Sequence, residues 1–356
     1  MRTFALAVCG ALAAVSVRAA EKDGADAYIA RIRTLSAHVA DGTMETRRTT
    51  AALLRGMGEP VLQYLEAELK APGAERRARA ALVLGEIGSP DALPLLLGAL
   101  ADREAIVRTR AAAAIGKMGK GETAEEIALL LDDADDGVRA EAARALGGLG
   151  ASRFARKIES LLSDPSEKVR LGALSAAGNL GDRAAVPAAV RALDSPSAAL
   201  RNAAVIALGA IGDRSSLPQI RKALADGDQW VRASAASALG MMRDTDAVPL
   251  LEKAAGDESP CVRGAAASAL GGLGSTGSIP VLCALLTDRR ASGFAILGPY
   301  RRTEVRDEAA EALGKITGDS RGFSRIADPA AREESLQRWL EWCEERSRTP
   351  TATPRS

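Results

Sequence analysis

The sequence predicts an all-α fold, an α-solenoid of stacked antiparallel helix pairs with a 31-residue period. Three observations carry this prediction. First, the stretch Leu200–Asp226, LRNAAVIALGAIGDRSSLPQIRKALAD, reads as two short helices joined by a turn. Leu200, Ala204, Ala207, Leu208 and Ile211 share one helical face, and Leu217, Ile220 and Leu224 mark the apolar side of the second helix. Gly209 and Gly212 are read as loosening and ending the first helix, and Pro218 suits a first helical turn, where its missing N–H costs nothing. Second, the unit recurs in register. A hydrophobic-Arg step stands at Val107-Arg108, Val138-Arg139, Val169-Arg170, Leu200-Arg201, Val231-Arg232 and Val262-Arg263, always 31 residues apart. A glycine follows at Gly116, Gly147, Gly178, Gly209, Gly240 and Gly271, and a second-helix proline at Pro94, Pro187, Pro218, Pro249 and Pro280, with Glu125 and Arg156 at the two intervening positions. One pair cannot bury its apolar face alone, so a recurring pair implies a stack. Third, only 3% of residues are aromatic and 34 are glycine, which suits alanine-rich helices approaching closely around a thin core.

The Val-Arg step, the Ala-Leu-Gly run, the Gly-Asp turn and the proline-led second helix resemble HEAT repeats, and the short spacing resembles the phycobilisome-lyase HEAT-like subtype in particular. The resemblance covers Glu45 to Gly318. It implies a fold more sharply than a function, since such arrays serve as scaffolds, chaperones, bilin-lyase subunits and, rarely, metal enzymes.

In chain order, residues 1–19 read as a secretory signal peptide. Arg2 opens it, Phe4 to Val15 is an unbroken apolar or small run, and Val17-Arg18-Ala19 precedes the expected cleavage. Cleavage there takes the formal charge from +1 to −1, because Arg2 and Arg18 leave. A lipid anchor at Cys9 is disfavoured, since Val8 is bulky where a small residue is wanted. No later run is long and apolar enough to span a membrane. Residues 20–43 form a capping helix with Tyr28, Ile29, Ile32, Leu35 and Val39 on its apolar side. The array occupies 44–318. It opens with a degenerate pair, and in the next pair Arg76-Arg77 replaces the hydrophobic-Arg step, as expected where an end repeat meets water. From Val262 to Val305 the spacing is 43, an insertion of 12 held in residues 287–303. A second capping helix at 319–347 carries Leu336, Trp339, Leu340 and Trp342, whose rings are expected to cover the open end, and 348–356 reads as a disordered tail.

The candidate sites follow from departures from the repeat. Asp102, Asp133, Asp164, Asp226 and Asp257 precede the hydrophobic-Arg step by five residues, with Ser195 breaking the series. They predict an Asp/Arg ladder of surface pairs, each worth about 0–1 kcal/mol. A catalytic carboxylate pair would occur once rather than in series. Deoxyhypusine hydroxylase builds a metal site on HEAT-like repeats with His-Glu ligands; here the one histidine, His38, lies in the leading helix and no His-Glu step exists. Cys261, Cys283 and Cys343 survive signal removal without a CxxC spacing, which leaves one oxidised pair open while Cys283 reads as a small core residue. The Leu-Gly-x-Ile-Gly steps are helix ends, so no phosphate loop is present. With 47 basic against 46 acidic residues and no long run of one sign, a general nucleic-acid footprint is absent.

The remaining features are recognition features. Arg191, Lys222 and Lys253 lie 31 apart and stack into a basic stripe, which Gly98, Leu129, Ser160 and Ala284 extend without charge. Trp230 precedes a Val-Arg step where other copies vary. The insertion carries Arg289, Arg290, Phe294, Tyr300, Arg301 and Arg302 against the single acid Asp288; its bland reading is a surface loop folded back on neighbouring helices. The expectation is an exported scaffold for a protein partner, with no chemistry, cofactor or metal of its own. A lyase-type subunit or a chaperone assisting modification of a partner is the alternative.

Overall fold

The computed structural model describes residues 25–119, 121–296, 302–325 and 327–348. The expected signal peptide, the tail from 349, Tyr300 and Arg301 lie outside them. The chain divides into two units at Leu180/Gly181. The first begins with α1 (Ala25–Asp41), followed by the pairs α2 (Met44–Gly56) and α3 (Glu59–Leu69), α4 (Ala74–Ile87) and α5 (Leu93–Ala99), α6 (Ala105–Met118) and α7 (Ala124–Leu129), and α8 (Asp136–Gly148) and α9 (Ala155–Ser160), and closes with α10 (Glu167–Leu180). The second contains α11 (Val186–Ala192), the pairs α12 (Ala198–Ile211) and α13 (Leu217–Ala223), α14 (Gln229–Met241) and α15 (Val248–Ala254), and α16 (Pro260–Leu273) and α17 (Ile279–Leu285), then strands β1 (Ala291–Ile296) and β2 (Arg302–Glu304), α18 (Val305–Thr317) and α19 (Pro329–Arg348).

Within each unit successive first helices pack on one another, α4, α6, α8 and α10 in one and α12, α14, α16 and α18 in the other. Their alanine faces, such as Ala111, Ala112 and Ala142, Ala143, are buried together with Leu96, Ile127 and Ile158 of the short second helices. The start of a first helix is set by side chains. Asp228 accepts the N–H groups of Trp230 and Val231, and Asp135 that of Val138, satisfying donors that a helix start leaves free. A 3-10 turn precedes the regular second helices, as at Arg214–Ser216 before α13.

The structure corrects the role of the recurring glycine. Gly116, Gly147, Gly209, Gly240 and Gly271 lie inside their helices and end nothing. A methyl group added at Gly209 would fall 2.8 Å from the Ala238 methyl, and one at Gly240 2.9 Å from Ala269 Cα. These are points of backbone approach between neighbouring first helices. The stops lie three residues later, where Gly88, Gly119, Gly150, Gly212 and Gly274 take positive φ. Arg243 occupies this position after α14 with φ of 51°, without the freedom of glycine.

Four features differ from expectation. On α1, Ile32, Leu35 and Val39 are buried but Ile29 is 41% exposed. The second step of the array places Arg77, not water, against the stack: Arg77 is buried while Arg76 faces outward and pairs with Glu68. The insertion is an antiparallel hairpin of β1 and β2 rather than an irregular loop, the one departure from helix among the described residues. Its Ser292 hydroxyl, buried, meets the carbonyl and hydroxyl of Thr303. At the far end Trp339 of α19 is fully buried and meets Trp342 edge to face at 5.3 Å, with Arg321 over both rings. Cys283 is not a core filler: it is disulfide-bonded to Cys343, which ties α19 to α17, and Cys261 is the buried free thiol.

Charge ladder and candidate interaction surface

The ladder links consecutive repeats through a fixed offset of 25 residues. Each arginine grips a carboxylate with two parallel N–H···O bonds: Arg77 to Asp102 at 2.7 and 2.9 Å, Arg108 to Asp133 at 2.8 and 2.8 Å, Arg139 to Asp164 at 3.1 and 3.1 Å. Arg201 to Asp226 and Arg232 to Asp257 repeat the geometry in the second unit, at 2.8 to 2.9 Å. The third nitrogen of Arg232 donates to the carbonyls of Asp226 and Gly227, and Asp226 in turn accepts the N–H of Asp228. One guanidinium therefore fixes the turn before its own helix and the turn of the next repeat.

These pairs are not the exposed surface pairs expected from the sequence. Their side chains are 5–19% exposed, so breaking one leaves a charge largely out of water. The Arg77 hydrogen bonds hold Asp102 below the ordinary carboxylate range, and Arg201 does the same for Asp226. At Asp257 burial alone would raise the carboxyl, and the hydrogen bonds from Arg232 and the Ser259 N–H outweigh it.

The ladder also accounts for the insertion's charges. Asp288 is its next member, bound by Arg263 at 2.7 Å, and Arg290 donates to the same carboxylate at 3.0 Å. Arg289 donates to Glu333 of α19 at 2.8 Å, and Arg306 shares that carboxylate while also pairing with Glu304. Arg332 pairs with buried Asp307, and Arg325 with Glu308 and Glu311. Arg289 and Arg290 thus serve the hairpin and the terminal helix, which sequence reasoning missed because Asp288 was read as part of the insertion. Phe294 and Arg302 lie on β1 and β2 by their backbones.

The basic row is different. Arg191, Lys222 and Lys253 end α11, α13 and α15, all three are exposed, and none has an ion pair or side-chain hydrogen bond among the described residues of its unit. In the first unit the same row reads Gly98, Leu129 and Ser160, with Leu129 75% exposed. Trp230 lies on a first helix, away from these second-helix positions; it is 47% exposed, and its ring flanks Gly293 of β1. Sequence reasoning missed a further contrast. The ladder arginine is the only charged residue on α12, α14 or α16, and Ile206 on α12 and Trp230 and Met241 at opposite ends of α14 are exposed. His38 is exposed, and among the described residues no cluster of three His, Cys, Asp or Glu is placed to hold a metal. No described helix is long and apolar enough to cross a membrane.

Paired helices stacked at a constant period and joined by a repeating Arg–Asp clamp define a helical-repeat solenoid. The HEAT-repeat family matches residues 30–116, 62–147, 155–240 and 217–294, more than half of the chain, and the chain belongs to that family. No curated protein matches it. Among solved structures, the Escherichia coli protein YibA aligns with a TM-score of 0.52 at 19% identity, over 75% of this chain and 95% of that one. Kap95p, from a complex with RanGDP, gives 0.52 at 14% identity over 90% of this chain and 48% of its own length. The CpcE–CpcF phycocyanin lyase of Nostoc sp. PCC7120 gives 0.38 at 20% identity, over 79% and 94%. The first two likenesses are likenesses of fold.

Proposed function

We propose that this chain is an exported, non-catalytic protein-interaction scaffold that takes an acidic partner on the second-helix edge of its second unit. The observation that carries the reading is the row Arg191, Lys222 and Lys253: three exposed cations without partners among the described residues, in a chain whose other arginines are so often held by carboxylates. Cations left unpaired on rigid helix ends cost little in solvent and attract a partner of opposite charge from a distance. Export is supported by the apolar run Phe4 to Val15 and by the Cys283–Cys343 bridge, since disulfides persist in oxidising compartments.

The test is crosslinking in intact cells of the native host, followed by mass spectrometry, with wild type beside a Lys222→Glu/Lys253→Glu variant. The reading expects mature protein starting at Ala20 or within a residue or two, and an acidic partner captured by wild type and lost by the variant. Intact Met1 in the cytosolic fraction would overturn export, and undiminished capture by the charge-reversed protein would overturn the binding face.

A further inference from the structure

The first helices of the second unit present a strip that the proposed function does not use. In the first unit the outward positions of α6 and α8 carry Arg110, Lys117, Glu141 and Arg144. At the same register, α12 and α14 carry Ala203, Ile206, Ser234, Ser237 and Met241, without a charge. Ile206 is 51% and Met241 64% exposed, Trp230 stands exposed at the other end of α14, and Ala203, Ser234 and Ser237 between them are partly exposed. The strip is therefore open to contact along its length. The hairpin bounds it on one side, where Cys261 and Gly264 at the start of α16 are buried against Gly293 and Ser292. Absence of charge together with exposed Trp, Met and Ile is the composition of an interface core.

The strip also complements itself when turned end for end. At 1.5 Å per residue Trp230 and Met241 stand about 16 Å apart on α14, and their midpoint falls between Ser234 and Ser237. A second α14 laid antiparallel about that midpoint sets Trp230 against Met241 at both ends and Ser234 against Ser237 in the middle. On α12 the same turn sets Ile206 against Ala203, a large side chain against a small one. The aromatic ring meets a pliable thioether, and no charge near the middle meets its own copy.

We infer that a second copy of this chain covers the strip in a two-fold dimer, with Trp230 of each copy against Met241 of the other. In a two-fold contact residue i meets j while j meets i, so the surface must fit itself. A partner of different sequence asks for no such match between the two ends of one helix. The area suffices for a weak dimer. Helices of 14 and 13 residues, with the uncovered end of α16, present a strip about 20 Å long and, at about 9 Å between axes, about 25 Å wide. Covering it on both copies removes about 1,000 Å² from water, the low end for a specific interface. The strip lies on first helices and the basic row on second helices, so this inference does not rest on the acidic partner.

Sedimentation velocity over a concentration series tests it on the chain from Ala20 onward, which keeps every described residue. A monomer–dimer equilibrium is expected with a Kd on the order of 10 µM, and Trp230→Ala should weaken it by about tenfold or more. Ser237→Arg and Ser237→Glu change a partly exposed position, so both should match wild type in circular dichroism. Each alone should be monomeric, because near the axis the new charge meets its own copy, and mixing the two should restore a dimer. Lys222→Glu should dimerise as wild type does. A monomer at every concentration, oligomers beyond the dimer, an undiminished dimer in folded Ser237→Arg, or a mixture that stays monomeric overturns the inference.

Discussion

Gly209→Ala separates two roles that a repeated glycine can play. If Gly209 ended its helix in the left-handed region, a methyl group there would cost about 1 kcal/mol by backbone strain alone, independently of Ala238. If it merely filled an exposed helix interior, alanine would stabilise by about 1 kcal/mol through helix propensity. The structure places it inside α12, where the new methyl would fall 2.8 Å from the Ala238 methyl, 3.3 Å from Ala238 Cα and 3.4 Å from the Met241 terminal methyl. Met241 is exposed and can swing away, but Ala238 belongs to the backbone of α14, so two helices must separate by several tenths of an ångström. Overpacking of this kind costs about 1–3 kcal/mol, which outweighs the propensity gain and leaves a net loss of about 1 kcal/mol. Ala238→Gly in the same protein removes the nearest obstacle, so the double variant should recover part of the loss relative to the sum of the single changes. Urea denaturation followed by circular dichroism reads all four proteins. Stability unchanged or raised in Gly209→Ala refutes the packing assignment, as does strict additivity of the pair.

Four further outcomes follow. Arg243→Gly should stabilise by about 1 kcal/mol, because it relieves a left-handed residue where other repeats have glycine; a loss in urea midpoint would show that the arginine is held there by something stronger. Arg232→Ala should cost about 3 kcal/mol by stranding Asp257, against about 0.5 or less for Arg144→Ala, whose pair with Glu141 is exposed; equal denaturation midpoints would contradict the ladder's burial. Asp102 and Asp226 have folded-state pKa values below their unfolded ones, so their contribution is present above about pH 4 and lost as pH falls through the folded values. Midpoints should therefore drop on acidification below about pH 4, less steeply in Asp226→Asn, and an unchanged slope in that variant would count against the linkage. Non-reducing peptide mapping should recover Cys283 joined to Cys343 with Cys261 alkylated only after unfolding, and Cys343→Ser should lose up to about 4 kcal/mol for a bridge spanning 60 residues.

The helix pairs were legible because a 31-residue period in apolar residues, prolines and glycines leaves one way to bury the recurring face. The function of the glycines was not, since a packing glycine and a stopping glycine recur with the same period. What tells Gly209 from Gly212 is the alanine of the next helix, Ala238, and which residues of two helices meet is a fact of packing. The hairpin was hidden for a similar reason: strands of six and three residues inside a 12-residue insertion carry little alternation to read. The Cys283–Cys343 bridge depends on where α19 docks, which no repeat register fixes.

Charge shows most clearly where sequence reading stops. In the sequence Arg289, Arg290, Arg191, Lys222 and Lys253 are equivalent cations, and the insertion looks the richer patch because two of them are adjacent. Folding makes them unequal. Asp288 keeps the 31-residue spacing from Asp257, so it belongs to the ladder, and its carboxylate holds both Arg263 and Arg290. Glu333 on α19 holds Arg289. A partner seeking those arginines would have to displace carboxylates already in contact, with little net gain. It would displace nothing at Lys222 or Lys253. The positions most able to attract an acidic surface are therefore the ones the repeat left unpaired, and the periodic row carries the binding reading further than the conspicuous insertion.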